Sequence, residues 1–275
     1  MRQGERGKPA ATNGMLYHLG RVSALAADER GGSLFMINPY QESSMTHKEQ
    51  IRSMFSGIAG RYDRMNHIFS LGIDRFWRKK AIDLLKPEHP STILDIAAGT
   101  AGFSLAAARL NPASIIGIDI SEEMLAVGRD YIARRGLEEL IELREGDAES
   151  LPFDSERFDA VIVAFGVRNI GDRAKALSEM YRVLKSGGTT VILEFSQIRP
   201  FPFGALFRLY FYVIMPLLAG LISKNRRAYL YLPRSVESFP DRQVFLSEIR
   251  SAGFSDARLK TLTCGIVTVY SAKKA

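Results

Sequence analysis

Two hydrophobic periods alternate along this chain. Thr92 to Ala97 is an apolar run of strand length that meets Gly99 and Gly102, and behind them Phe103 to Leu110 reads as an alanine-rich helix. Further segments of strand length follow at Ser114–Asp119, Ile141–Glu145, Phe158–Ala164 and Thr189–Phe195. Between the last two, Ala174 to Leu184 has helical spacing and ends at Lys185-Ser-Gly-Gly188, with cation and glycine where a helix stop wants them. The chain closes with a helix over Arg242–Ala252 and two strand-like runs, Ala257–Thr263 and Ile266–Ala272, whose short Cys264-Gly265 link predicts an antiparallel hairpin. Strand and helix in alternation predict an α/β fold, a doubly wound and mostly parallel sheet.

Upstream, helical spacing begins just after Met45 at Ile51, Met54, Phe55 and Ile58. Gly60–Gly72 is too dense in aromatic and polar residues for a plain amphipathic helix and reads as a lid. Asp74–Leu85 predicts a helix that Pro87 and Pro90 stop before the first strand. Met1–Ser44 mixes Gly, Arg, Ser and Ala without sustained periodicity, lacks the apolar core of a signal peptide, and reads as disordered or as an upstream extension.

After Ser196 the alternation breaks. Arg199–Tyr231 holds three prolines in a dense apolar and aromatic run, of which Leu209–Ser223 is uncharged for fifteen residues. A bilayer span needs about 20 apolar residues, and this run is interrupted by Pro216 and Gly220, so it does not read as a transmembrane helix. It reads either as a buried helical hairpin or as an apolar wall for a greasy substrate, touching a membrane through the basic residues that flank it.

Charge sharpens that picture only slightly. The formal net charge is +7, and residues 199–260 alone hold ten Lys/Arg against four Asp/Glu. Basic residues beside apolar surface suit an anionic membrane face, although an ordinary solvated face fits too, and no nucleic-acid reading module is present. At 275 residues and 46% hydrophobic, the chain can bury one large core. Its single cysteine excludes an intrachain disulfide and suits a reducing compartment, hence a cytoplasmic protein; four histidines without a Cys/His cluster predict no metal site.

The glycine loop is the candidate ligand site. A dinucleotide fingerprint wants G-x-G-x-x-G, whereas Gly99-Thr-Ala-Gly102-Phe-Ser104 lacks the middle and last glycines. Asp119 stands twenty residues after Gly99, the spacing at which an acid takes a ribose diol; the alternative is an Asp that caps the helix starting near Glu122. A dinucleotide fold would continue its parallel winding where this chain predicts a hairpin. Five parallel strands closed by an antiparallel hairpin resemble instead the seven-stranded, Rossmann-like sheet of class I S-adenosylmethionine-dependent methyltransferases.

Several runs make the resemblance narrower. Leu94-Asp-Ile-Ala-Ala-Gly-Thr100, Gly146-Asp-Ala-Glu149, Leu151-Pro-Phe153, Phe165-Gly-Val-Arg-Asn169, Arg182-Val-Leu-Lys185 and Leu193-Glu-Phe-Ser196 resemble the menaquinone/ubiquinone C-methyltransferase family. So do Tyr62-Asp63, Asn66, Ser70, Gly72, Arg75 and Trp77 before the core, and Tyr229, Tyr231-Leu232, Ser235 and Phe239-Pro240 after it. The resemblance covers about Met54–Lys274 and implies a single methyltransferase domain over 45–275: lid helices at 45–90, a cofactor-binding core at 91–198, an apolar substrate insertion at 199–240, and the final helix and hairpin at 241–275.

It implies S-adenosyl-L-methionine as cofactor, a polyprenylated quinol as substrate, peripheral membrane contact through 199–231, and leaves a homodimer open. Gly99 and Thr100 would hold the methionine end of the cofactor, Asp119 its ribose, Asp147 and Ala148 its adenine, and Ala164 would line the cleft. Asp147 reads equally as a turn residue after a strand. Asp95, inside the first strand, would orient the loop.

For catalysis the resemblance points to Arg168 and Asn169. Arg168 stays protonated, so it would stabilise a ring phenolate or position a water, unless it pairs with Asp172; Asn169 would orient the same oxygen. Asp63 and Tyr62 are the candidate proton acceptors. The family usually reads Gly-Thr-Gly-Asp in the first loop where this chain has Gly99-Thr-Ala-Gly102, so Ala101 must adopt the backbone of the missing glycine, and the absent acid removes a partner for the cofactor's ammonium.

Overall fold

The computed structural model describes residues 37–40, 44–197 and 226–275, with the side chains of residues 69 and 226–230 left aside. Most of the expected N-terminal extension and residues 198–225 of the apolar insertion lie outside the described residues. The fold nevertheless takes in part of the extension: Ile37 and Tyr40 pack beside Ile51, Met54 and Ile58, and the Tyr40 N–H donates to Gln50 Oε1 at 2.9 Å.

Seven strands form one sheet: β1 Thr92–Ile96, β2 Ser114–Asp119, β3 Ile141–Glu145, β4 Phe158–Ala164, β5 Leu184–Phe195, β6 Ser255–Leu262 and β7 Val267–Lys273. Their order is β3-β2-β1-β4-β5-β7-β6. The first five are parallel, and β7 inserts antiparallel between β5 and β6. This is the doubly wound sheet with a terminal hairpin that the two periods predict. The order reverses direction between β1 and β4, where an open α/β sheet leaves a crevice at its carboxyl edge.

Both faces of the sheet's centre are covered, which is why β1, β2, β4 and the second half of β5 read as largely apolar runs, unlike the edge strands β3 and β6. Alternate residues point to opposite sides. Leu94, Ile96, Ile118, Val161, Val163 and Ile192 pack on one side with helices α6 (Arg173–Val183) and α8 (Arg242–Ser251). Ile93, Ile115, Ala160, Ile162, Val191 and Leu193 pack on the other with α3 (Ile73–Ile82), α4 (Gly102–Ala107) and α5 (Glu122–Ala133).

Two local readings change. Lys185-Ser-Gly-Gly188 is not a helix tail: α6 ends at Val183, and β5 starts at Leu184, which pairs with Phe158 across a register shift. The segment read as a lid is largely helical, α2 (Ala59–Phe69), joined to α3 by a tight turn in which Leu71 and Gly72 both have positive φ. Ahead of it, α1 (His47–Ser56) is fixed by a capping box: Thr46 accepts from the Glu49 N–H and Glu49 accepts from the Thr46 N–H.

Gly166 holds the crevice in shape through space. A Cβ there would lie 2.5 Å from the Cβ of Ala97, at the ends of two neighbouring parallel strands. Gly166→Ala is therefore expected to lower the melting temperature by roughly 5 °C through overpacking, read by thermal unfolding. An unchanged melting temperature would show that the two strand ends separate freely.

Candidate active site

At the carboxyl edge of β1, β2 and β4 lies an open cleft lined by residues of all three strand ends and of α1. Backbone conformation is unusual all around it. Ala97, Gly99, Ala101 and Phe165 have φ of +54°, +55°, +64° and +60°. Ala101 thus carries the left-handed backbone its missing glycine would have accepted freely, at a cost on the order of 1 kcal/mol; its methyl is wholly buried, and that packing offsets part of the strain.

One end of the cleft is polar. The Gly99 N–H donates to Asp119 Oδ2 and the Ser121 N–H to Asp119 Oδ1, both at 2.9 Å. Asp119 therefore does not cap α5, whose N-cap is Ser121. Instead it lines the cleft with each oxygen held by one N–H, leaving acceptor capacity toward the cavity. Burial pushes its carboxyl up to about 6, against the pull of those backbone N–H groups. Asp95 is wholly buried, accepts from Ser104 Oγ at 2.6 Å and is pushed up by burial to about 7; it ties β1 to α4 behind the loop.

Asp147, Ala148 and Glu149 line the same end. Asp147 plays its turn role, since Oδ1 accepts from the Glu149 N–H at 2.9 Å. A residue with no recognisable sequence signal joins them: Lys48 of α1 reaches Asp147 Oδ2 at 2.5 Å and Glu149 Oε2 at 3.0 Å. Those carboxylates raise the Lys48 pKa, so the ammonium holds α1 across this edge of the cleft.

The other end is aromatic and amide. Tyr62, Ala164, Phe165, Gly166 and Asn169 line it. Asn169 Oδ1 accepts from the hydroxyl of Tyr231, on helix α7 (Arg226–Ser238), at 3.0 Å. His47, also absent from the sequence-derived candidates, contacts the Asn169 carbonyl at 3.3 Å, and burial lowers its pKa. Burial pushes the Tyr62 phenol up and Tyr231 up to about 12, so both hydroxyls keep their protons near neutral pH.

Three predicted residues stand behind the lining. Thr100 is buried, and its hydroxyl donates to Asp63 Oδ1 at 2.8 Å; burial raises the Asp63 carboxyl, whose buried Oδ2 has no partner at full hydrogen-bond geometry although the Tyr131 hydroxyl stands near the group. Arg168 is enclosed. It donates to the Phe165 carbonyl, to Glu194 Oε1 at 3.1 Å and to Ser235 Oγ at 3.2 Å, so its carboxylate partner is Glu194 and not Asp172, which instead caps α6. Glu194 is wholly buried; burial raises its carboxyl and the guanidinium opposes the rise.

The groups present fit a nucleoside with a charged amino-acid tail. A Cβ at Gly99 would crowd Met124 at 3.2 Å and stand 4.0 Å from Asp119 Oδ2, so only glycine leaves the loop backbone open to a ligand. The buried Oδ2 of Asp63, beside the Thr100 loop, is a ready acceptor for an ammonium. Among the described residues no group of His, Cys, Asp and Glu could hold a metal ion, and no helix is long and apolar enough to cross a membrane.

Sheet order, with a glycine turn at the carboxyl edge of β1, is that of the S-adenosylmethionine-dependent methyltransferase class. Solved structures share the architecture: a methyltransferase of that class from Thermotoga maritima superposes with TM-score 0.58 at 20% identity, covering 82% of this chain and all of that one. The [4+2]-cyclase SpnF superposes with TM-score 0.60 at 16% identity, covering 82% and 96%. The family is narrower than the class, for the sequence profile of the ubiE/COQ5 methyltransferase family matches residues 43–274, and the chain belongs to that family. It is 47% identical over 239 residues to a demethylmenaquinone methyltransferase of Bacteroides fragilis, covering 86% of this chain and 97% of that protein. Against the ubiquinone/menaquinone biosynthesis C-methyltransferase UbiE of Geobacter sulfurreducens it is 43% identical, covering 82% and 89%. The chain is a methyltransferase, and S-adenosyl-L-methionine is its cofactor.

Proposed function

We propose that this protein methylates a ring carbon of a polyprenylated quinol, converting demethylmenaquinol to menaquinol. The observation that carries the reading is Asn169, which lines the same cleft as Gly99 and Asp119 and has its amide oxygen held by the Tyr231 hydroxyl. When bound, S-adenosylmethionine supplies an electrophilic methyl on its sulfonium. Asp119 would hold its ribose, Asp147 and Ala148 its adenine, and Asp63 its ammonium, in place of the acid absent from the loop.

A ring carbon attacks well only when a neighbouring hydroxyl has lost its proton. Because Tyr231 occupies Asn169 Oδ1, the Asn169 NH2 is the half left to donate, and it suits a phenolate oxygen. Arg168 serves this step by holding the Phe165 carbonyl and Ser235 in place, a positioning role supported by its enclosure. Tyr62 keeps its proton and orients; it does not act as the base. Phe165, Ala164 and Ile170 keep water from the reacting face.

Tyr231→Phe is expected to lower kcat/KM by roughly ten-fold, the worth of one hydrogen bond that fixes the amide, with S-adenosylhomocysteine affinity unchanged. Equal loss of both would mean that the hydroxyl only supports the fold. The reading as a whole is tested with isotopically labelled cofactor and short-chain quinols. Label transfer to demethylmenaquinol supports it. Transfer to a 2-polyprenyl-benzoquinol alone would assign the benzoquinol branch, and tight cofactor binding without transfer to either would leave a noncatalytic binding protein.

A further inference from the structure

The turn between α2 and α3 exposes apolar side chains that the cleft does not use. Ile68, Leu71, Ile73 and Phe76 are all solvent-exposed, Leu71 at 81%, within nine residues. Most proteins scatter such residues singly; a contiguous apolar tip marks a surface that something covers. Leu71 is unusual twice over, since it also has a φ of +51°, a backbone that a leucine rarely adopts.

Charge surrounds this tip in a regular way. Arg61, Arg64 and Ile68 stand at i, i+3 and i+7 on α2, and Ile73, Phe76 and Lys80 at the same spacing on α3, so each helix carries one stripe with its apolar end near the turn and its basic part further back. Lys80 lies 5.6 Å over the Phe76 ring, and Arg75 and Lys79 are exposed beside it. Of the two acids between Arg61 and Lys80, Asp74 is buried against Arg78 and Asp63 is turned to the Thr100 hydroxyl. Arg61, Arg64 and Arg75 pair with no carboxylate among the described residues. Apolar tip ahead, cations behind, and no exposed acid at the tip match the vertical order of an anionic bilayer, hydrocarbon below and phosphate above.

We infer that the Ile68–Phe76 turn inserts into the surface of an anionic lipid bilayer and docks the enzyme there. The same two helices turn their other sides to the substrate end of the molecule: Tyr62 lines the cleft, and Trp77 packs edge-on against Phe165 and Phe195 at 6.2 and 6.1 Å. Docking at this turn therefore sets the cleft beside the bilayer that would hold a polyprenylated quinol, so the inference rests on the quinol reading and locates its substrate.

Co-sedimentation of the full chain with lipid vesicles tests it. The wild-type protein is expected to partition onto phosphatidylcholine vesicles containing phosphatidylglycerol. A Leu71→Ser/Phe76→Ser variant should lose at least roughly ten-fold in partitioning, as removal of two inserted apolar side chains requires. An Arg64→Gln/Arg75→Gln variant should lose roughly ten-fold on anionic vesicles and nothing on phosphatidylcholine alone. Turnover of a short-chain quinol in solution, and the melting temperature, should be unchanged by Leu71→Ser/Phe76→Ser, while turnover of a vesicle-embedded long-chain quinol falls.

Unchanged partitioning overturns the inference. So does a melting temperature lowered by several degrees, which would mean that the chain itself covers the patch, or a shift in molar mass by light scattering, which would mean that a second copy does. If the variants lose partitioning while the wild-type protein methylates neither quinol, docking stands and the quinol reading falls.

Discussion

Arg168→Ala is expected to unfold the protein at a temperature about 6–20 °C lower than the wild type. The substitution removes the cation from Glu194, which is wholly buried, and also deprives the Phe165 carbonyl and the Ser235 hydroxyl of their donor. Breaking a buried pair from one side costs about 3–5 kcal/mol, because the remaining charge is left without its counter-ion; Glu194 would keep only the backbone N–H groups of residue 168 and Phe195. In a domain of this size each kcal/mol moves the melting temperature by about 2–4 °C. Glu194→Gln, which keeps an acceptor for the guanidinium while leaving its charge uncompensated, should give a smaller drop. Scanning calorimetry decides the matter. A normal melting temperature with turnover alone abolished would give Arg168 a direct role in the chemistry, and the enclosed guanidinium would then have to reach the cleft by a rearrangement.

The second large effect concerns Asp119. Asp119→Ala should weaken S-adenosylhomocysteine binding by at least about 100-fold, since hydrogen bonds to a charged acceptor are worth about 1.5–3 kcal/mol each and a ribose diol offers two. The Gly99 loop also loses the acceptor that holds its N–H. Isothermal titration measures the loss, and a variant that binds as well as wild type would place the ribose elsewhere.

The pH dependence supplies an independent check on the same residue. Because burial raises the folded-state carboxyl of Asp119 to about 6, from an ordinary value of 3.8, the folded protein binds a proton more readily than the unfolded chain between those values. Stability is therefore favoured at the acid side of that window and falls as pH rises through about 6, where the buried carboxylate must ionise. Ligand affinity runs the opposite way: the ionised form accepts from a diol, so affinity should fall as pH drops through about 6, and this limb should vanish in Asp119→Ala.

Much of this protein was legible before any fold was known. Parallel strands buried on both faces are apolar nearly throughout, so Ser114–Asp119 and Phe158–Ala164 could be bounded to the residue, while edge strand Ile141–Glu145 alternates buried Ile141 and Leu143 with exposed Glu142 and Arg144. The glycine turn and the spacing from Gly99 to Asp119 are local facts, because β1 and β2 are neighbours whose ends meet: the carboxylate takes the Gly99 N–H directly.

Less local matters were not legible. Lys185-Ser-Gly-Gly188 has the composition of a helix stop, yet pairing with β4 draws Leu184 into β5. Arg168 has an acid four residues on at Asp172, the pairing that helix spacing suggests, but its partner lies twenty-six residues away at Glu194 because β4 and β5 lie side by side. Lys48 carries no motif at all; it reaches Asp147 only once α1 is laid over the carboxyl edge of the sheet.

Local pattern thus determined the strands, their winding and the glycine-loop end of the cleft, since each depends on contacts between neighbouring residues or neighbouring strands. The tertiary structure alone decided which charges meet and which way the Asn169 amide faces. It also decided that four apolar side chains at the α2–α3 turn stand in solvent instead of in the core. Those outcomes depend on segments far apart in the chain being brought within hydrogen-bond reach, or kept from it, and a one-dimensional pattern carries no record of that distance.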